Sequence, residues 1–363
     1  MEQKRDVSVL ICVTAYSDKS FEHARSRYYQ KNNIKVTVLS FADKRDAIVD
    51  NVQVISLKTF EKSKQKYDLL IMHAPNIRNH FWFLKKYGDI FPQFVFFFHG
   101  HEVMKKSIGY SEPYDYMKRG ILKQKFNDLY DDFKLSVWRD YYSKVAYKSR
   151  FIFVSNWMRE QFLHWTNIPE RIIENRYSIT YNCISEVFEK YEFDYKKNKQ
   201  YDYLTIRANL DGSKYCVDLV NQLAKKYSHY RFLLVGKGEF FKHYDQAENL
   251  TWINDTLNHF QIVQLLEKAK CALMLTRTDA QGVMACEIAS TGMPLITSDI
   301  PVCHEVFEGF DNVGFLKNDL HNENLDIIFH KLTDNVPYKK NKKYFNSYTS
   351  AQEIEIFREL IKE

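Results

Sequence analysis

The sequence predicts an α/β protein built from two doubly wound parallel-sheet domains, and three observations predict it. Short runs rich in Val, Ile, Leu and Phe alternate with helical patterns along the whole chain. The alternation pauses once, at 186–203, where EVFEKYEFDYKKNKQYDY puts charges and tyrosines in place of periodic apolar residues. The 363 residues also exceed what one hydrophobic core usually supports, so the pause reads as a domain boundary. Near-continuous apolar strands separated by helices mean parallel sheets covered on both faces.

The first domain, 1–190, opens with the strand VSVLICVTA (7–15) and the helix FEHARSRYYQK, then continues with IKVTVLSF (34–41), YDLLIMHA (67–74), FVFFFHG (94–100) and RFIFVSN (150–156). The second, 191–345, restarts with the strand 202–207 of DYLTIRANLDGSK, then RFLLVGKG (231–238), LTWIND (250–255), CALMLTRT (271–278) and PLITSD (294–299). An amphipathic helix, AQEIEIFRELIKE (351–363), ends the sequence, and the segment 346–363 is expected to pack back on the first domain. Doubly wound sheets bind ligands at the carboxyl ends of their strands, here expected to face a cleft between the domains.

Composition narrows the function. With 45% hydrophobic and 27% charged residues the chain reads as globular. A net charge of +6, with bases interleaved among acids, does not argue for nucleic acid. No apolar run approaches the roughly 20 residues that cross a bilayer, and MEQKRDVSVLICV passes into a strand without a signal-peptide cleavage region, so a cytoplasmic protein is expected. The six cysteines are scattered without a CxxC pair, which suits buried reduced thiols. The basic-aromatic stretch 116–150 reads as a solvated helix or as a surface lying against an anionic membrane face.

The chemistry concentrates in the second half. Strand CALMLTRT ends at Thr278, the loop Asp279-Ala280-Gln281-Gly282 follows, and a helix runs from about Val283 to Thr291, stopped by Gly292 and Pro294. A helix N-terminus at a strand's carboxyl end suits an anionic or hydroxyl-rich ligand. Two carboxylates at this spacing can each accept hydroxyl hydrogen bonds, Glu287 from a ribose and Asp279 from a transferred hexose. In the competing structural reading Asp279 is a helix cap and Glu287 a solvated helix residue. Upstream, a strand ends at Arg207, a turn containing Gly212 follows, and Lys214 stands at the next helix start: two cations that a diphosphate leaving group needs where no metal neutralises it. The turn Gly236-Lys237-Gly238 adds a third close approach, on weaker evidence. In the first half, FVFFFHGHE ends a buried strand in His99-Gly100-His101-Glu102, open to readings as core histidine, base, sugar contact or metal ligand, and His73 ends a neighbouring strand.

Together these residues resemble the retaining glycosyltransferases of family 4, of two-Rossmann-domain GT-B architecture. Asp279 to Glu287 fills their acid-x7-Glu frame, with Gly292-Met293-Pro294 and Thr297-Ser298 behind it; Arg207 and Lys214 fall where the family keeps its phosphate-binding Arg and Lys. Gly236-Lys237-Gly238 matches the family's VGxG turn, Ser155 ends a later first-domain strand, and ITYNCISEVF (179–188) is similar to the family's hinge signature, with Cys183 in the glycine place. His99 takes the place of the strand-end His that faces the donor sugar. The chain departs from the pattern in having Asp279 instead of Glu and no glycine in VTAYSDKSFEHAR (13–25).

The resemblance implies a metal-independent hexosyltransferase without a cofactor, whose donor is an NDP-sugar, first a UDP-sugar. It also implies contacts from Ala280, Gln281, Gly282 and Val283, a glycan or lipid-linked glycan acceptor, and a place in bacterial cell-surface polysaccharide synthesis peripheral to the inner membrane face. A GT-B nucleotide-sugar epimerase or hydrolase and an inactive nucleotide-binding partner protein are the alternatives. A dinucleotide oxidoreductase fits poorly, because no GxGxxG follows the first strand.

Overall fold

The computed structural model describes residues 7–17, 21–63, 65–118, 120–319 and 324–362. The lead-in 1–6, part of the glycine-free stretch at 18–20, Arg119 and Glu363, all used in the sequence reading, lie outside the described residues. Two parallel-sheet α/β domains are present, with eight and six strands.

The first sheet comprises β1 (Val7–Val13), β2 (Ile34–Ser40), β3 (Ala47–Val49), β4 (Val52–Ser56), β5 (Leu69–His73), β6 (Gln93–Phe98), β7 (Ser149–Phe153) and β8 (Tyr177–Ile179). Its order is β3-β4-β2-β1-β5-β6-β7-β8, parallel except for the antiparallel edge pair β3-β4. The second comprises β9 (Tyr201–Asn209), β10 (Phe232–Lys237), β11 (Leu250–Ile253), β12 (Ala269–Met274), β13 (Leu295–Ser298) and β14 (Val313–Leu316), ordered β11-β10-β9-β12-β13-β14 and parallel throughout. In both sheets the order reverses once, between β1 and β5 and between β9 and β12. At such a switch point the two flanking loops leave in opposite directions and open a crevice.

β3, β4, β8 and β14 are not among the strands that the sequence predicts. Three of these are sheet edges, and β3 and β8 have three residues each, too few for periodicity to register.

By contact, one compact unit gathers 1–105, 128–183 and 345–363, and the other 106–127 and 184–344. In sequence the boundary is expected near 190, with 106–127 in the first domain. In the structure that excursion packs onto the second unit: Tyr114 Oη donates to Asp218 Oδ1 at 2.9 Å, Tyr116 Oη to Asp211 Oδ1 at 2.7 Å, and the Tyr116 ring stacks on His243 with centroids 4.0 Å apart.

In the first unit the helix Thr349–Lys362 supplies Ile354, Phe357 and Leu360 to the core that also holds Val9, Ile11 and Tyr29. A buried ion pair fixes its register: Arg25 Nε donates to Glu353 Oε1 at 2.9 Å, with both side chains fully buried. Tyr29 Oη also donates to Glu353, and Arg25 Nη1 reaches Asn182 Oδ1 at 3.1 Å. Such a pair specifies one docking geometry more than it adds stability, because desolvation offsets most of the Coulomb gain. In the second unit, Val220 and Leu223 of the helix Val217–Lys226 and Phe329 and Leu332 of the helix Leu325–Thr333 share a core with Tyr203, Phe232 and Leu273 of the sheet.

Candidate functional site

The second sheet's switch point lies between β9 and β12, and Arg207, Lys214 and the loop Asp279–Gly282 lie at the carboxyl ends of these strands. Arg207 lies near the end of β9 and is only 8% exposed. Its Nη2 donates to the Leu275 carbonyl beyond β12, and its guanidinium carbon lies 5.3 Å from the centre of the Tyr215 ring. Its Nε is buried without a partner, and no carboxylate pairs with it among the described residues. Burial holds its pKa below the ordinary arginine value. A guanidinium removed from water with one carbonyl and a ring face for company is costly unless an anion completes it.

Lys214 stands in the short turn Ser213–Tyr215, half-buried, with Nζ 4.8 Å from the same Tyr215 ring and 5.6 Å from that of Tyr110. It too has no carboxylate partner among the described residues. One aromatic ring thus carries two cations, and a diphosphate between them would relieve both. Gly212 precedes this turn against the edge of the Tyr215 ring; a Cβ there would lie 2.9 Å from it.

The loop after β12 closes the other side. Arg207, Asp279, Gln281 and Gly282 line one small pocket with Thr276 and Thr297. Asp279 does not cap the helix Val283–Ser290; its Oδ1 accepts from Ala280 N at 2.8 Å and Gln281 N at 3.5 Å, holding the loop turned, while Gly282 is the N-cap at φ 70°. At that φ an L-residue is strained, and a Cβ would sit 3.4 Å from Asp279 Oδ2. Ala280 and Gln281 are buried, and the Gln281 carbonyl accepts from Cys286 Sγ at 3.4 Å. Val283, half-buried, begins the helix, whose first-turn N–H groups have no intrahelical partner.

Glu287 does not line that pocket. It is 3% exposed, which excludes the solvated-helix reading, and its Oε1 accepts from Ser185 N at 3.1 Å. Burial pushes its carboxyl up to about 7, with the Ser185 N–H pulling the other way. His259 Nε2 lies 3.9 Å from Oε1, and burial holds this imidazole below its usual pKa. Oε2 has no partner among the described residues.

The Gly236-Lys237-Gly238 turn serves the sheet. Gly236 has φ 152°, and a Cβ would fall 2.2 Å from the Arg207 carbonyl oxygen, so only glycine lets β10 approach β9 where the register slips. Lys237 is exposed, with Asp255 3.5 Å away, and Gly238 lies against Leu210.

His99 belongs to the first unit, at the carboxyl end of β6. Its Nε2 is 3.1 Å from His73 Nδ1 at the end of the adjacent β5, and both rings stack with Phe97. Burial, then the neighbouring His99, hold His73 well below the usual imidazole range. Glu102 of the HGHE stretch is spent on the loop: its Oε1 accepts from the backbone N–H groups of His99 and Gly100. Among the described residues no group of three His, Cys, Asp or Glu is placed to hold a metal.

Arg277 escaped the sequence reading. Its guanidinium grips Asp218 through two bonds, at 2.9 and 2.6 Å, its Nη1 donates to Ser213 O at 2.6 Å, and its backbone N–H donates to Lys214 O at 2.9 Å. It ties the loop bearing Asp279 to the turn bearing Lys214. A strand-end arginine two residues before Asp279, like Arg207 at the end of β9, was the available signal.

The fold is that of GT-B glycosyltransferases. Residues 204–326 match the family model described as Glycosyl transferases group 1, so this stretch carries a glycosyltransferase group 1 domain. No curated protein matches the chain in sequence. Among solved structures, sucrose-phosphate synthase (tll1590) from Thermosynechococcus elongatus is similar at TM-score 0.69 and 11% identity, covering 98% of this chain and 99% of that one. Anabaena Alr3699/HepE in complex with UDP and glucose follows at TM-score 0.66, 12% identity and 97% and 99% coverage. The pneumococcal O-GlcNAc transferase GtfA in complex with UDP and GlcNAc aligns at TM-score 0.61, 10% identity and 99% and 100% coverage.

Proposed function

We propose that this protein is a retaining glycosyltransferase that moves a hexose-type sugar from an NDP-sugar, a UDP-sugar first, to a hydroxyl of a glycan acceptor in bacterial cell-surface polysaccharide synthesis. The observation that carries the reading is the Arg207–Tyr215–Lys214 arrangement: two cations without carboxylate partners at the switch point of the sheet, beside a helix N-terminus. The UDP bound in the Anabaena and pneumococcal structures supports the choice of base.

In this reading the diphosphate lies between Arg207 and Lys214, which stabilise the negative charge that grows as the sugar C1–O bond to phosphate breaks. The acceptor oxygen forms its bond to C1 on the same face, and its proton passes to the departing phosphate oxygen. Asp279 takes hexose hydroxyls, the N–H groups from Ala280 to Val283 face the phosphate and sugar, and Glu287 Oε2 takes a ribose hydroxyl. Charge neutralisation is assigned to the side chains, so chelation by EDTA is expected to leave the rate unchanged. A thermal-shift panel of nucleoside diphosphates and NDP-sugars is expected to give stabilisation by one nucleoside diphosphate and its sugars, by mass action. Turnover of the sugar without acceptor at a rate matching transfer would identify an epimerase or hydrolase instead, and no shift with any nucleotide would sink the assignment.

A peripheral contact with the cytoplasmic membrane face completes the proposal. Among the described residues no helix is long and apolar enough to cross a membrane. On the helix Ile121–Val145, however, Leu122, Phe126, Leu129, Tyr130 and Phe133 fall within about 100° of arc and are 52–79% exposed. Lys123 and Lys125 flank this stripe, and Lys105 neutralises Asp132 at 2.8 Å. An apolar stripe edged by lysines matches an anionic lipid surface. The double variant Phe126→Ser/Leu129→Ser is expected to lower co-sedimentation with phosphatidylglycerol vesicles at least tenfold; unchanged co-sedimentation would overturn the contact.

A further inference from the structure

The first unit contains a second candidate anion site, independent of the glycosyltransfer reading. Arg150, Arg171 and Arg176 line one cavity of about 400 Å³ together with Ser149, Ile172, Asn175 and Leu360. The chain brings them together simply. Arg150 is the second residue of β7, Arg171 lies on the short helix Glu170–Ile173, and Arg176 precedes β8, which pairs in parallel with β7. All three arginines therefore sit at the amino ends of these strands. His73 and His99 mark the opposite, carboxyl edge of the same sheet.

The charge balance is the telling feature. An arginine offers five N–H donors. Here Arg150 Nη1 donates to Asn175 O at 3.0 Å and Arg176 Nη1 to Tyr147 O at 2.9 Å, both neutral carbonyls. Arg150 Nε is buried without a partner. Among the described residues, no carboxylate forms an ion pair with any of the three, and the nearby Glu170 is engaged by Arg159. Ser149 Oγ already donates to Val145 O at 2.6 Å. No carboxylate lines the cavity among the described residues; what it offers is three guanidinium forks, which match phosphate oxygens two at a time.

We propose that this cavity binds a phosphate-bearing ligand, a phosphate monoester or diphosphate, through Arg150, Arg171 and Arg176. A cavity of this size has room for an organic group on the phosphate, since small-ligand pockets run from roughly 300 Å³ upward. The same chemistry is offered by a soluble phosphate and by a lipid headgroup.

The test uses the full chain. Inorganic phosphate, pyrophosphate and glycerol 3-phosphate are titrated by isothermal calorimetry, and phosphatidic acid vesicles by co-sedimentation. Saturable binding is expected for at least one probe, weakened tenfold or more in Arg171→Gln, an exposed position where the fold is not at stake, and again in Arg176→Gln. Lys214→Ala is expected to leave this binding intact, which separates the cavity from the donor site. Arginine-dependent binding of the soluble probes identifies a free phosphate; loss of vesicle recruitment in Arg171→Gln identifies a headgroup. Absence of binding by every probe, or binding that survives Arg171→Gln and Arg176→Gln, would overturn the proposal.

Discussion

Arg207→Met is expected to abolish the thermal shift produced by nucleoside diphosphate and to lower kcat/KM by about 10²–10³ while leaving the apo protein as stable as before, or more so. The two halves of this result have one cause. Without ligand the guanidinium is buried, its Nε unpartnered, with the Leu275 carbonyl and the Tyr215 ring beside it and Asp279 acting on it from beyond ion-pair distance. Replacing buried ionic groups with well-packed apolar side chains of similar volume is often neutral or stabilising by about 1–4 kcal/mol. If Arg207 were structural, the substitution would destabilise instead, and nucleotide binding would fall only with the folded fraction. Urea denaturation in the absence of ligand, beside nucleotide titration of the folded protein, separates the cases. A variant that loses stability but keeps its nucleotide affinity would remove Arg207 from the site.

Much of this architecture was legible because buried parallel strands announce themselves. VSVLICV, FVFFF and CALML are short, near-continuous apolar runs, the length and pattern that a strand covered on both faces requires. The helix after Asp279 was legible to within a residue, since Gly282 and Gly292 bracket it and both take positive φ. What escaped depends on long-range packing. Residues 106–127 lie between two first-unit strands, and nothing local says that Tyr114 and Tyr116 answer Asp218 and Asp211 about 100 residues later. The glycines of VGKG look like a ligand's approach in sequence, but Gly236 is required by the carbonyl of Arg207. Asp279 and Glu287 flank the start of one helix yet do not share a pocket: one turns the loop before it and the other is buried on it against Ser185. Spacing fixes which helical residues are neighbours, whereas burial is decided by what packs on the helix from elsewhere.

That burial makes Glu287 the source of the second large effect, one that depends on pH. Its carboxyl ionises near 4.5 when exposed and is pushed up to about 7 in the folded chain. Between these values the folded protein holds a proton that the unfolded chain has released, so the native state binds more protons and stability falls as pH rises through this window. A shift of this size corresponds to about 3 kcal/mol. Glu287→Gln keeps a neutral group that accepts from the Ser185 N–H but cannot ionise. Its stability relative to the parent is therefore expected to be near zero at pH 4.5 and to climb toward about 3 kcal/mol by pH 8. Nucleotide binding should move the other way. A ribose hydroxyl donating to Oε2 favours the carboxylate, so the bound donor draws the pKa down, and the loss of affinity in Glu287→Gln is expected to be greater at pH 8 than at pH 5.5. Denaturation midpoints and nucleotide titrations at both pH values test the two arms separately. A stability difference that stays flat with pH would mean that the buried carboxyl titrates at its ordinary value. An affinity loss equal at both pH values would mean that the ionised form is not what the ribose meets.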